Sequence, residues 1–294
     1  MERAKGILYA ALSSSTFGLA PLFTLLLLGL GYSSFEVLSY RWGVASLFLG
    51  ALALLAGRSF RLSWPELRTV FFLSLFRAAT SLSLVIAYQH IASGVASTIH
   101  FMYPLAVALA MMCFFREKGS VWVFAAIGMS IVGAVLLSLG NVDFTRGDTT
   151  LGIVSAAVSV VAYGAYIVGV RRSRAAEIDS TVLTCYVMGL GALYFIAGGL
   201  VTGGIRIETD GTAWLCILGV ALPATAVSNM TLVQAIKRIG PTLTSVFGAL
   251  EPLTAVVIGV AVFGEPFTVQ GAAGILLIVA AVTIVILHSG RRKA

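Results

Sequence analysis

Two ionisable side chains stand near the middle of long apolar runs, where a charge is costly. Arg77 lies about halfway through the run 66–89, and Glu251 lies about halfway through the run 240–263. If these runs cross a membrane, inserting each charge costs ~2.5–3.5 kcal/mol, so the side chain should face a cavity or a partner. The two residues form either a substrate-facing pair or coupling site, or an ion pair that locks the two halves of the chain together. For Glu251 both interpretations stay open; for Arg77 we favour the lock.

His100 and Tyr103 are three residues apart, which places them on one face if the run 92–115 is a helix. Phe101 and Met102 are then expected to point elsewhere. Pro104 follows directly, and its ring removes one backbone donor and can open the helix. This face could form the binding wall for an aromatic zwitterion, or His100 could be an ordinary hydrogen-bonding residue between helices. We favour the substrate-lining role.

A second aromatic face and two polar side chains complete the candidate site. Tyr163 and Tyr166 are again three residues apart, and Phe17 is expected to enter the same cavity from the first apolar run. Asn229 needs hydrogen-bond partners because its carboxamide lies in the middle of an apolar run. Ser245 is a further polar candidate, although most small polar residues in such runs are packing contacts.

The remaining ionisable candidates have plainer interpretations. Arg41 lies in the outer part of the run 34–56 and is expected to extend toward the surface or to pair with Glu36. The chain has three His, and His90 and His288 lie near the ends of apolar runs, so their spacing does not favour a metal site. We predict no metal and no other cofactor.

The composition identifies the solvent around these residues. Of 294 residues, 59% are hydrophobic and 11% are charged, and the mean hydropathy is +1.01. A soluble domain of this size cannot bury so much apolar surface. This excludes a soluble enzyme, a disordered chain and a nucleic-acid-binding module, and it indicates a protein embedded in lipid. The pI of 9.6 comes from short charge clusters between the apolar runs.

The apolar runs are long enough to cross a bilayer as helices of about 20 residues. The fold class is therefore an all-α integral membrane protein, and we expect the N-terminal run to be retained rather than cleaved. We predict ten spans, numbered 1 to 10 in chain order, at 5–30, 34–56, 66–89, 92–115, 119–139, 150–171, 180–203, 212–236, 240–263 and 267–288.

The positive charges predict the orientation of these spans. With a cytoplasmic N-terminus, fifteen of the 19 Lys and Arg fall in inside segments, and only Arg146 and Arg206 fall outside. Arg41 and Arg77 lie within spans. Because Lys and Arg concentrate on the cytoplasmic side, both termini are predicted to be cytoplasmic.

The chain repeats itself at an offset of 146 residues near the start of each half and 148 near the end. At the first offset Phe17 and Gly18 align with Tyr163 and Gly164. At the second, the aligned pairs include Ser81 with Asn229, Pro104 with Pro252, and Glu117 with Glu265.

Each half, 5–139 and 150–288, holds five predicted spans. Since five is odd, the second half must enter the membrane from the opposite side. Ten helices arranged as two inverted five-helix repeats are typical of secondary transporters, in which the halves exchange conformations to open the cavity alternately to each side. Pro104 and Pro252 are expected to mark the bent helices about which the cavity gates.

These residues carry a family resemblance over nearly the whole chain. The opening pattern GIxxAAxSxxx[FY]G, met near the start of each half, and the Pro-bearing fourth span followed by Glu resemble the drug/metabolite transporter superfamily, and within it the EamA-type ten-helix exporters. The overall sequence looks most like the aromatic amino-acid exporter branch. The resemblance implies a central cavity lined mainly by spans 1, 3, 4, 6, 8 and 9, with spans 5 and 10 as a scaffold and no ATP-binding domain.

The aromatic and polar candidate residues predict the substrate, which is a small neutral, aromatic amino acid or a similar metabolite. We expect a monomer in the lipid bilayer to export it. Only Arg77 could bind an anionic group, so a sugar nucleotide or phosphate is not favoured. A proton-coupled exporter of cationic drugs or of nucleosides is the alternative, with Glu251 as the membrane carboxylate. An intramembrane enzyme is disfavoured because no span carries an Asp or Lys in its middle, and a channel because no filter-like segment is evident.

Overall fold

The computed structural model describes residues 2–91, 93–138, 147–254, 257 and 268–288, and every regular element in these ranges is a helix. Eight helices are long and apolar enough to cross a membrane, and Val121–Leu136 is a shorter apolar helix. The predicted all-α membrane fold is confirmed. The ninth predicted span and the connection before span 6 lie partly outside the described residues, as do Glu265 and Arg146.

The helices follow the predicted spans closely, and they are numbered by the span to which they belong. They are Glu2–Phe17 and Ala20–Gly29 (span 1), Ser34–Leu55 (span 2), Trp64–His90 (span 3), Ser93–His100 and Tyr103–Phe115 (span 4), Val121–Ser138 (span 5), Thr149–Arg172 (span 6), Ser180–Thr202 (span 7), Gly211–Ala221, Leu222–Val227 and Ser228–Ile239 (span 8), Pro241–Val246 and Phe247–Ala249 (span 9), and Val269–His288 (span 10), with a short turn of helix at Arg174–Ala176.

Polar caps at the helix starts explain several of these boundaries. Ser33 and Glu36 form a capping box at the start of span 2, and Ser63 and Glu66 form another at span 3. An Asp caps spans 6, 7 and 8 by accepting hydrogen bonds from free backbone N–H groups. The caps place the ends of these helices where polar groups can be solvated.

The packing of the helices follows a two-fold relation between the halves. Span 2 packs against span 7, and span 5 packs against span 10, so each pairs with its own counterpart. Span 1 packs against span 8, and span 3 against span 6. These last two pairs exchange when the halves are swapped, as two inverted five-helix repeats require.

Contacts at the helix ends agree with the predicted sidedness. Arg238 pairs with Glu2 at 3.1 Å, and Arg58 pairs with Asp179 at 3.6 Å, so residues predicted to share the cytoplasmic side are neighbours. At the opposite face Arg206 and Glu36 form an ion pair at 2.9 Å between Nε and Oε1.

Four of the predicted spans are interrupted near their middles. Span 1 breaks at Gly18–Leu19, span 4 at Phe101–Met102, and span 9 passes through a tight turn at Phe247–Ala249. Span 8 widens into a π-helix over Leu222–Val227. Each break lies within five residues of a proline, which cannot donate a backbone hydrogen bond. Broken helices at mid-membrane depth expose backbone groups to a central site.

Candidate functional site

Five rings from spans 1, 4 and 6 form one buried group, here called the aromatic cluster. Tyr163 is at its centre, with ring-centroid distances of 4.6 Å to Tyr103, 5.3 Å to His100, 6.4 Å to Tyr166 and 6.5 Å to Phe17. All five side chains are buried. The predicted aromatic residues therefore meet in one place, although the sequence placed them in three separate runs.

His100 and Tyr103 were predicted to share one face of a helix, and the break in span 4 shows that this prediction is wrong. His100 ends one helix and Tyr103 begins the next, so they do not share the face of a continuous helix. Their rings still contact, with centroids 5.4 Å apart. Phe101 was expected to point elsewhere, which is wrong: it is buried, and its ring lies 6.0 Å from that of Tyr103. Met102 is 42% exposed and does point away.

His100 makes a hydrogen bond between helices and also faces a cavity. Its Nδ1 lies 2.7 Å from Oγ of Ser159, whose own proton is donated to the carbonyl of Ala156 at 2.6 Å. This assigns the imidazole proton to Nδ1 and leaves Nε2 as an acceptor. Nε2 is buried and has no partner among the described residues. Both predicted roles are thus compatible with the geometry.

Arg77 connects the two halves through an amide rather than through a carboxylate. Its Nε donates to Oδ1 of Asn229 at 2.8 Å, and its Nη1 donates to Oγ of Ser81 at 3.2 Å. The guanidinium carbon lies 5.1 Å from the centroid of Tyr163. The ion pair between Arg77 and Glu251 that one interpretation required is not formed among the described residues. Ser81 and Asn229, aligned in the repeat, both bind the same arginine.

Arg41 does not behave as predicted. It neither reaches the surface nor pairs with Glu36, which instead binds Arg206. Arg41 is 4% exposed, and its Nε donates to Oγ1 of Thr225 at 2.6 Å. Its guanidinium carbon lies 5.7 Å from the centroid of Phe17. The Arg77 guanidinium carbon lies 5.5 Å from the same Phe17 centroid. The expectation that only Arg77 could bind an anionic group is therefore wrong, because Arg41 is a second cation beside Phe17.

The π-helix of span 8 positions both arginines. Thr225 lies within it, and its hydroxyl accepts from Arg41 and donates to the carbonyl of Val220 at 2.7 Å. One turn later Asn229 donates through Nδ2 to the carbonyl of Thr225 at 2.8 Å, which turns its Oδ1 toward Arg77. Wide turns of this kind are frequent at functional sites.

Glu251 contacts the aromatic cluster from span 9. The Tyr103 hydroxyl donates to its Oε1 at 3.3 Å. Two glycines permit this close arrangement. A Cβ at Gly248 would overlap the Tyr103 hydroxyl, and a Cβ at Gly18 would overlap the backbone carbonyl of Glu251. Span 9 can approach spans 1 and 4 only because these positions lack side chains.

Two small cavities lie beside the charged groups. One, of about 40 Å³, is lined by His100 and Glu251, and the other, of about 10 Å³, is lined by Arg41 and Arg77. Both are also lined by Phe17, Leu84 and Tyr88. Since one water needs ~10–15 Å³, the larger cavity has room for about three waters and the smaller for about one. Little free volume therefore remains in these two cavities.

Three other candidates have separate positions. Ser245 is buried, but its hydroxyl donates to Thr242 of its own helix at 2.9 Å, and it lines neither cavity. Pro104 and Pro252 stand just after the breaks of spans 4 and 9, at aligned positions. Of the two, Pro252 lines the cavity beside Glu251.

Sequence reasoning missed Thr225, Ser159 and Trp42. Thr225 is the repeat partner of Arg77 at the 148-residue offset, a signal that could have drawn attention to it. Ser159 and Trp42 gave no comparable signal. Ser159 holds His100, and Trp42 is fully buried with its ring centroid 5.9 Å from the Arg77 guanidinium.

The comparison with protein families now identifies the chain. A model described as the EamA-like transporter family matches residues 4–139 and again 150–287. The protein belongs to the EamA-like transporter family. It is accordingly a multi-pass membrane protein with a transport role, rather than an enzyme by family.

Similar proteins agree with this membership. The chain is 26% identical to the uncharacterized transporter YojE of Bacillus subtilis over 276 residues, covering 91% of this chain and 88% of the relative. It is 25% identical to an uncharacterized transporter of Archaeoglobus fulgidus over 238 residues, covering 81% and 83%. A solved crystal structure with 20% identity superposes over 100% of this chain and 99% of its own, with a TM-score of 0.80, and shows the same fold.

Proposed function

We propose that this EamA-like transporter exports a small neutral amino acid with an aromatic side chain. The supporting observation is the aromatic cluster, which lies between a carboxylate and buried guanidinium groups. Tyr163 and Phe17 stack with an interplanar angle of 16°, and a substrate ring can join such a stack. Each aromatic contact contributes ~0.5–1.5 kcal/mol beyond burial. Glu251, with the free Nε2 of His100 nearby in the same cavity, suits a substrate ammonium group.

The proposed mechanism is alternating access in a monomer. The units 5–139 and 150–288 exchange conformations, and the site near the two-fold axis opens to one side and then the other. The breaks before Pro104 and Pro252 supply bending points. We assign the substrate-binding role to Phe17, Arg77, His100, Tyr103, Tyr163, Tyr166, Asn229 and Glu251, with Ser245 acting at most through helix packing.

The proposed orientation follows from the charge distribution. Both termini face the cytoplasm, and substrate moves outward across a bacterial inner membrane. The buried arginines disfavour the alternative of a cationic drug, because a cation entering the cavity would meet guanidinium groups without a neutralising partner.

Counterflow in proteoliposomes tests the proposal. Purified protein is reconstituted and loaded with unlabelled phenylalanine, tryptophan, a nucleoside or a quaternary ammonium compound, and uptake of the labelled compound is followed. We expect phenylalanine and tryptophan to exchange, and the other two compounds not to. Exchange of the nucleoside or the quaternary ammonium compound without the amino acids would reject the proposal. Protein-free liposomes provide the background.

A further inference from the structure

Two guanidinium groups lie beside one phenylalanine ring in the interior of the protein. The carbon at the centre of the guanidinium lies 5.5 Å from the Phe17 centroid for Arg77 and 5.7 Å for Arg41. Both arginines are almost wholly buried, and both line the small cavity that Tyr88 and Ser81 also line. The ring face attracts each cation, but it does not neutralise either charge.

No described carboxylate lies within ion-pair distance of these two arginines, and Glu251 attracts Arg77 only from farther away. Neither arginine forms an ion pair in that part of the chain, where the acidic partners are Glu2, Glu36 and Asp179. The Nη2 atom of Arg41 is buried and has no hydrogen-bond partner there. Buried cations are destabilising unless they are paired and hydrogen-bonded. An anionic group that entered the cavity would pair directly with both cations and satisfy this donor.

We propose that Arg41 and Arg77 together bind a carboxylate of the transported molecule, and that Arg41 is a specificity-determining residue of this site. The inference rests on the proposed function, because it assumes that the aromatic ring of the substrate binds at the aromatic cluster. It goes beyond that function because it assigns the acid group of the substrate to the two arginines and requires that group for binding.

The donors that remain free can bind a carboxylate. Thr225 occupies Nε of Arg41, while Asn229 and Ser81 occupy Nε and Nη1 of Arg77. These three bonds hold both guanidinium planes and leave the other N–H groups, including the buried Nη2 of Arg41, for a ligand. A carboxylate, which is the acid group of the proposed amino-acid substrate, can accept from these donors through its two oxygens, and a phosphate is the competing anion that the test below includes.

The shared cavity wall explains how one molecule could reach both charged regions. Phe17, Leu84 and Tyr88 line the arginine cavity and the cavity of Glu251 alike. A zwitterion placed along this wall would meet guanidinium groups at one end and a carboxylate at the other, with its ring against Phe17. An amine without an acid group would leave the two cations unneutralised.

Binding of matched ligands to the purified full-length protein tests the inference. We would titrate 3-phenylpropionate, its neutral analogue 3-phenylpropanamide, phenethylamine and phenyl phosphate, and follow the midpoint of thermal unfolding, which rises with ligand occupancy. We expect wild-type protein to bind the propionate at least tenfold more tightly than the amide. Arg41→Gln should weaken the propionate about 10–100-fold and leave the amide within about twofold, because only the charged ligand uses the guanidinium. Arg61→Gln, at an exposed arginine between spans 2 and 3, is the control and should change neither.

Several outcomes would overturn the inference. An equal loss for propionate and amide in Arg41→Gln means that Arg41 only supports the fold. Tighter binding of phenyl phosphate than of the propionate rejects the carboxylate assignment, and so does a wild-type protein that no carboxylate stabilises. If Arg41→Gln does not fold, Arg41→Lys keeps the charge but loses the planar fork, and we expect a smaller loss that again affects only the propionate. The wild-type preference for acid over amide is a test that needs no variant.

The same panel separates this inference from the proposed function. If phenylalanine does not exchange in counterflow while the acid preference depends on Arg41, amino-acid transport is rejected and the carboxylate site stands. If phenylalanine exchanges but the protein shows no preference for the acid, the carboxylate site is rejected and the transport proposal stands.

Discussion

Tyr103 donates a hydrogen bond to Oε1 of Glu251 at 3.3 Å, and these two residues occupy the same position in the two halves, 148 residues apart. Residues related by a two-fold axis can touch only where the axis passes close to both. Phe17 and Tyr163, aligned at 146 residues, also contact, as a stacked pair. The axis therefore runs through the aromatic cluster, where both halves contribute side chains to one site.

The first prediction concerns the Glu251 carboxylate. Glu251→Gln keeps an oxygen that can accept from Tyr103 but removes the charge that suits an ammonium group. We expect phenylalanine counterflow to fall at least tenfold, since a hydrogen bond to a charged group contributes ~1.5–3 kcal/mol. Binding of 3-phenylpropionate should not weaken. Glu177→Gln, at an exposed position, serves as the control. Unchanged phenylalanine flux in Glu251→Gln would exclude this role.

Asn229 offers a test of how the arginines are held. Asn229→Ala leaves Nε of Arg77 without its partner, and we expect a loss of ~1–3 kcal/mol in the free energy of unfolding. Asn229→Asp should instead fold well, because the new carboxylate can pair with Arg77, but it should abolish binding of 3-phenylpropionate by neutralising the site. Thermal unfolding and ligand titration measure both effects. Normal acid binding by Asn229→Asp would show that Arg77 does not serve the ligand.

The aromatic cluster predicts a loss of flux without loss of folding. His100→Ala and Tyr163→Ala remove rings at the centre of the cluster, and phenylalanine counterflow should fall at least tenfold per variant. Phe114→Ala is the matched control, because Phe114 is also on span 4 but is 79% exposed. Reconstituted protein is quantified for every variant. Wild-type flux in Tyr163→Ala would remove the cluster from the substrate path.

Replacing Pro104 and Pro252 is expected to change the rate of transport rather than the amount of folded protein. With alanine at both positions, spans 4 and 9 can recover the backbone hydrogen bonds that proline prevents and become straighter. The Pro104→Ala/Pro252→Ala protein should fold at wild-type levels yet exchange phenylalanine more slowly, whereas each single variant keeps one bend and should be slowed less. Undiminished exchange by the double variant would exclude gating at these sites.

Labelling of single cysteines checks the orientation. In a background without Cys113, Cys185 and Cys216, an impermeant maleimide should label Gly211→Cys in intact cells. Arg61→Cys should react only after lysis. Both positions are exposed, and a Cβ at Gly211 meets no atom within 4 Å, so neither change disturbs packing. The reverse labelling pattern would show that the termini face outward.

Much of the architecture could be predicted because lipid imposes simple rules on sequence. A helix must be about 20 apolar residues long to cross the bilayer, and its backbone bonds must close within itself. The predicted run 34–56 is therefore observed as Ser34–Leu55, and 180–203 as Ser180–Thr202. Breaks were harder to place, because a proline permits a bend without requiring one. Span 4 was expected to open near Pro104, but the full interruption at Phe101–Met102 was not expected.

By itself the sequence determined the membrane class, the approximate spans, the repeat and the residue types that meet at its axis. Tertiary structure alone decided which side chains face inward. Span 2 is apolar around its circumference, so nothing in its sequence shows that Arg41 points to the centre; its rotation is set by packing against span 7 and span 8. The same holds for Thr225, whose hydroxyl reaches Arg41 only because span 8 widens into a π-helix. Periodicity orders residues along one helix, but helix–helix packing chooses their neighbours.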